Sequence, residues 1–226
     1  MGLDTMRKVD KLEEISDGKV YGRNDMVRAG CQDCQGCSDC CQGMGSSILL
    51  DPYDIYQITK NEKTTFEALL EDKIELGVVD GIILPNLKMT GEKEQCPYLN
   101  QEGRCSIHSY RPGLCRLFPL GRCYGEHSFQ YFLQADECSR KNRTKVKVSK
   151  WIDTPDIKKN ETYIIDWHYF LKEVEEMLLH CQEEALPKQI NMYLLNRFFL
   201  DPYNMQEDFY IQIEKRFELA REQLGL

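Results

Sequence analysis

Two hydrophobic patterns divide the chain. From Asn160 onward, Tyr163, Trp167, Phe170, Val174, Leu178 and Cys181 recur every three or four residues. That spacing predicts a helix with an apolar stripe facing a core. Cys181, on that stripe, reads as a buried structural thiol. Pro187 punctuates the pattern, and further helices are predicted over about 188–199 and 205–223. Upstream the pattern is shorter and mixed. "SSILL" reads as a short strand, and "DPYDIYQITK" starts a helix with Asp51 as N-cap and Pro52 at the first helical position. A second helix is predicted from about Thr65 to Leu76, with Phe66, Leu69, Leu70 and Ile74 on one face. "GIILPNLKM" reads as a strand edged by Pro85, and "NQEG" as a turn. Pro112 opens a short helix over about 112–117, which Pro119 ends. "HSFQYFLQ" and "VKVSKWI" read as strands. Residues 1–27 are polar and weakly periodic, which predicts an arm with a helical turn or two.

Cysteine distribution turns this outline into an organisation. Ten of eleven cysteines lie between Cys31 and Cys138. The expectation is an α+β, helix-rich fold: a small irregular metal-binding cysteine core with short strands, followed by a C-terminal helical segment. The parts would be an N-terminal arm over 1–30, a cysteine-cluster domain over 31–150 and a helical segment over 151–226 packed on it. A chain of 226 residues buries enough surface to fold without disulfides or metal as its main support.

The formal net charge of −8 argues against nucleic-acid binding, which leaves a basic footprint. The N-terminal stretch has no apolar h-region, and Met6 stands where a myristoylation signal needs Ser or Thr. No apolar run approaches the roughly 18 residues of a membrane span. A cytoplasmic protein is expected, with no membrane partner. In a reducing compartment dense cysteines favour metal or redox centres over disulfides, and the odd count agrees.

Five cysteines fall within eleven positions as Cys31-x2-Cys34-x2-Cys37-x2-Cys40-Cys41. A CxxC step turns back on itself and aims two sulfurs at one point, for zinc or for an iron–sulfur cluster. Cys31, Cys34, Cys37 and Cys41 reproduce the C-x2-C-x2-C-x3-C spacing of bacterial ferredoxins. Gln42 stands where ferredoxins carry Pro, and the run occurs once, which excludes a duplicated ferredoxin. Cys96, Cys105, Cys115, Cys123 and Cys138 follow at irregular spacings, as ligands on separate elements would. Neighbouring side chains diverge in extended backbone, so Cys40 and Cys41 could serve different centres.

"CQGCSDCC", "CPYL" and "GRCSIHSYRPGLCRLFPLGR", with "ILLDPYDIYQI" between the first two, resemble the cysteine-cluster family of CxxCxxCC signature. That family is described as a zinc- or iron-chelating domain and includes flagellin lysine N-methylases. The resemblance covers about residues 31–138. It implies metal ligands at Cys34, Cys37, Cys40, Cys41, Cys96, Cys105 and Cys115, with Cys138 an eighth. Cys31 lies outside the signature and reads as ligand or spare, and the pattern leaves Cys123 unassigned. The methylase branch implies methyl transfer from S-adenosylmethionine to protein lysines. No strand followed by G-x-G-x-x-G supports a cofactor site of Rossmann type, and "GMGSS" is weak.

Ligand softness favours iron–sulfur, [4Fe–4S] above other clusters, over zinc, because paired histidine ligands are lacking near the cysteines. His108 reads as a turn residue. Arg111 and Arg116 flank Cys115 and are expected to hold the cofactor by hydrogen-bonding sulfur or a carboxylate. Arg140, Lys141, Arg143, Lys145, Lys147 and Lys150 follow Cys138 without an acid until Asp153. Lys145 to Lys150 read as a half-exposed strand edge, with docking of an acidic partner as the functional alternative. Hydrolase motifs are absent: no G-x-S-x-G, no H-E-x-x-H and no P-loop. Three readings stand: an iron–sulfur protein with lysine methyltransferase activity on a protein substrate, an iron–sulfur oxidoreductase or electron carrier with a redox partner, and a zinc-stabilised binding module without catalysis. The sequence carries no signal of oligomeric state.

Overall fold

The computed structural model describes residues 12–31 and 37–226. A short helix α1 (Leu12–Ile15) leads into strands β1 (Ser16–Tyr21) and β2 (Met26–Gly30). Helices α2 (Pro52–Glu62) and α3 (Phe66–Asp72) precede the hairpin of β3 (Ile74–Val79) and β4 (Ile82–Leu87). Helix α4 (Gly113–Leu117) is followed by β5 (Leu120–Gly125), β6 (Ser128–Gln134) and β7 (Thr144–Lys147). The chain ends in α5 (Val148–Ile152), α6 (Ile157–Leu179), α7 (Leu186–Leu195) and α8 (Phe209–Leu224). The fold is α+β and helix-rich, with short antiparallel strands and a C-terminal helical segment.

The strands form three small sheets, ordered β1-β6-β5, β2-β7 and β3-β4. Several elements differ from the hydropathy reading. Residues 16–30, predicted as a polar arm with a helical turn, supply β1 and β2. Four consecutive residues of β1, Asp17 to Val20, are exposed, so no buried alternation marks it, and both strands pair with partners over a hundred residues away. Helix α3 stops at Asp72, and Ile74 opens β3 instead of closing the helix. The deciding local signal is Asp80-Gly81, a two-residue loop with both φ angles positive, as a tight hairpin of primed type requires. "VKVSKWI" leaves the strand after its first two residues and continues as helix α5, and "SSILL" meets β4 only at the bridge Leu49–Asn86.

The larger core joins the middle of the chain to its end. Ile55, Ile58, Leu69, Ile74 and Leu87 pack with Phe170, Val174, Phe198 and Phe217. Buried Asn191 of α7 locks the hairpin to the helices: its Oδ1 accepts from Ile83 N at 2.6 Å, and its Nδ2 donates to Gly81 O at 3.0 Å. A smaller core of Val27, Ala29, Leu117, Leu120, Tyr131 and Val148 lies under the strands. Helix α6 carries the predicted stripe through Tyr163, Trp167, Phe170 and Val174, all buried. Leu178, one turn on, is half-buried and packs against the same core. Cys181 lies beyond α6, partly exposed, and its Sγ donates to Glu183 O at 3.4 Å, so it is no core thiol.

Candidate metal centre

Backbone pairing brings the two cysteine regions together. Asp39–Cys41 form one 3-10 turn, and Cys96 N donates to Cys41 O at 2.9 Å. Gly43 N donates to Glu94 O at 3.0 Å, and Gln42 bridges Gln95. Gly43 has φ of +69°, a conformation glycine adopts without strain, so the chain can leave the cysteine turn for this pairing. The "NQEG" turn folds residues 98–106 back on themselves. Asn100 Oδ1 accepts from Glu102 N and Arg104 N, and Ser106 N donates to Tyr98 O at 2.8 Å. The bridge Leu99–Cys105 then sets Cys105 near Cys96.

Cys115 arrives on α4, which is held from two sides. Asp54 Oδ1 accepts from Gly113 N at 2.7 Å, while Asp54 Oδ2 accepts from Asp51 N at 3.2 Å. Asp51 Oδ1 in turn accepts from Asp54 N at 2.9 Å, closing a capping box at the start of α2. One carboxylate therefore both caps α2 and pins the cysteine helix. Burial pushes the Asp54 carboxyl well up, with the Asp51 charge adding to it. From the other side, buried Arg116 donates to the carbonyls of Arg111 at 3.1 Å, Asp153 at 2.8 Å and Ser109. Arg116, expected to bond sulfur or cofactor, here donates from each of its three guanidinium nitrogens to a backbone carbonyl.

A cavity of about 640 Å³ lies on the seam between the two cores, with Ile48 and Leu87 on one side and Leu117 and Leu120 on the other. Cys37, Cys40, Cys41, Cys96, Cys105 and Cys115 all line it. All six are thiols, none in a disulfide. Cys34 lies outside the described residues. Cys138 is not among the described lining residues, although Glu137 is, and Ser139 Oγ lies 3.9 Å from Cys37 Sγ. Cys123 is exposed on β5.

The thiols sense one another. The Cys41 hydrogen bond brings Cys40 down to about 7, against burial and with help from Arg111. The same bond, with burial, pushes Cys41 up. Burial raises Cys96, Cys105 and Cys115, and each is raised further by neighbouring thiols. Such a set resists ionising together unless a cation compensates the thiolates. Two lining arginines add to the picture: Arg111 Nε and Arg122 Nε are buried and make no hydrogen bond. Soft anionic donors beside orphaned cationic donors fit a metal–thiolate centre, whose net charge is negative. Among the described residues no three Cys, His, Asp or Glu side chains form a chelating group.

Two histidines reach the cavity. Arg111 Nη1 hydrogen-bonds His108 Nε2, which makes that nitrogen an acceptor already engaged. His168 stacks on Tyr124 with centroids 3.6 Å apart, and burial lowers its pKa. Sequence reasoning missed Asp54, Tyr124 and His168. Only Asp54 left a local signal, three residues after the N-cap Asp51.

Separate segments converging on one thiol-lined cavity define a cysteine-rich metal-binding protein of the α+β class. The chain belongs to the CxxCxxCC family, described as a "putative zinc- or iron-chelating domain", whose model matches residues 33–149. No curated protein and no solved structure matches it.

Proposed function

We propose that the chain holds an iron–sulfur centre, [4Fe–4S] in type, on thiolates drawn from Cys37, Cys40, Cys41, Cys96, Cys105 and Cys115. Cys34 and Cys138 are further candidate ligands. The observation that carries this reading is six thiols from separate segments lining one cavity of about 640 Å³. One zinc takes four ligands, and the two histidines that line the cavity are engaged, His108 by Arg111 and His168 by stacking on Tyr124. An all-sulfur donor set of this size suits a polynuclear cluster. Arg111, whose buried Nε makes no hydrogen bond, is the candidate donor to cluster or ligand sulfur. A bound cluster of this kind supplies one-electron transfer. A cytoplasmic setting is part of this proposal, on the ground that dense cysteines serve metal centres in reducing compartments, and no helix of the described residues is long and apolar enough to cross a membrane.

The test is anaerobic purification followed by quantification of iron, zinc and acid-labile sulfide. Iron and sulfide in comparable amounts support the reading. Stoichiometric zinc without iron supports a zinc-stabilised binding module in its place.

A second reading rests on the other residues of the same cavity. Arg122, Tyr124, Phe132, Trp151 and His168 line it together with the thiols, and its volume is within the range of organic-ligand sites. An organic cosubstrate, S-adenosylmethionine by the family resemblance, is the candidate for it, with methyl transfer to protein lysines as the activity. Calorimetric titration with S-adenosylmethionine tests this. Absence of heat at millimolar cofactor removes the methylase reading and leaves the cluster reading intact.

A further inference from the structure

A second recess lies outside the thiol cavity. It is a groove of about 410 Å³ lined by Lys19 of β1, Arg28 of β2, Lys141, Arg143 and Lys145 of β7. Its one acid is Asp17, whose Oδ2 accepts from Tyr21 Oη at 2.5 Å and whose Oδ1 accepts from Lys19 N at 3.3 Å. Five cations therefore face one hydrogen-bonded carboxylate in a chain of net charge −8. A merely solvated strand edge spreads its lysines into water. Here side chains from three strands and a loop rim one recess. Arg143 Nη1 is buried and makes no hydrogen bond, a donor that a carboxylate would satisfy.

We propose that this groove binds an acidic peptide segment of a partner protein. Nucleic acid suits it less. The groove's aromatic residue, Tyr21, has its hydroxyl tied to Asp17. The surrounding acidic chain would also repel a long uniform polyanion. A peptide interleaves carboxylates with apolar side chains, and the groove answers with Met26, 53% exposed, among its cations. The placement matters for function. Strand β2 ends one residue before Cys31, and Ser139, two residues before Lys141, contacts Cys37. A partner seated in the groove lies beside the cysteine loop. The inference does not depend on which metal the thiols hold.

The test is fluorescence anisotropy of the full chain with a fluorescein-labelled ten-residue peptide that alternates glutamate with alanine, at low ionic strength. The matching glutamine–alanine peptide, a DNA duplex and anionic vesicles are measured in parallel. The glutamate–alanine peptide is expected to bind, and to weaken as salt screens the groove. The double variant Lys19→Glu with Lys145→Glu should weaken it by about tenfold, since two attractions become repulsions. Lys215→Glu on α8 should leave it unchanged. If the double variant fails to fold, the single variant Lys141→Glu carries the same comparison. Equal binding by the groove variants and the unaltered chain overturns the proposal, as does tighter binding of duplex or vesicles than of peptide.

Discussion

Asp54 is the residue on which the geometry around Cys115 turns, and Asp54→Ala is the most informative substitution. Asp54 is 4% exposed, and its two oxygens accept from Gly113 N and Asp51 N. Removing the carboxylate orphans both donors at about 1–3 kcal/mol each. Two effects reduce that sum. Asp51 and Gly113 are half-buried, so water recovers part of the loss. The carboxyl is also held neutral to higher pH than usual by burial and by Asp51, so its loss relieves desolvation. The net cost is about 2–3 kcal/mol. Asp54→Asn keeps one acceptor and should cost about half as much. Urea unfolding at pH 7, followed by tryptophan fluorescence, measures both. Metal content of the folded variants supplies the second readout, because α4 carries Cys115 and loses its pin. Asp54→Ala within about 0.5 kcal/mol of the unaltered chain, with full metal content, would refute the claim that this capping box positions Cys115.

Three further outcomes follow from the packing and the site. Ser at Cys40 or Cys115 should lower metal content, whereas Ser at Cys123 or Cys181 should leave it unchanged, read by elemental analysis of each purified variant. Phe198→Ala should cost about 3–5 kcal/mol in urea unfolding, since Phe198 is fully buried among Trp167, Phe170 and Phe217. Asp208 caps α8 by accepting from Tyr210 N at 2.7 Å, and its hydrogen bond from Lys159 depresses its pKa. Asp208→Ala should therefore cost about 0.5–2 kcal/mol at pH 7. A depressed carboxylate stabilises the fold above its unfolded pKa and loses that contribution as pH falls through the folded value. The gap between variant and unaltered chain should accordingly narrow in acid.

What the sequence made legible was set by how local each signal is. The capping box at Asp51, the stripe of α6 and the "NQEG" turn are written in adjacent residues, and the structure carries them. Strands β1 and β2 were illegible because their partners, β6 and β7, are remote and β1 exposes four residues in a row instead of alternating. Of the site, six of the eight expected cysteines line one cavity, which the CxxCxxCC motif and the later cysteines anticipate together. Cys138 stands off it among the described residues, since spacing alone cannot say which face of a loop a thiol takes. Arg116 and Arg122 illustrate the same limit. Both are arginines beside cysteines in sequence. Only the tertiary fold turns Arg116 onto three carbonyls and leaves Arg122 Nε in the cavity without a partner.

The central claim is that the cavity thiols hold an iron–sulfur centre, and X-ray absorption at the metal edge of anaerobically purified protein tests it most directly. The account predicts iron with a first shell of sulfur and a second, iron–iron scattering shell. Zinc with a single sulfur shell at about 2.3 Å and no metal–metal scattering would contradict it.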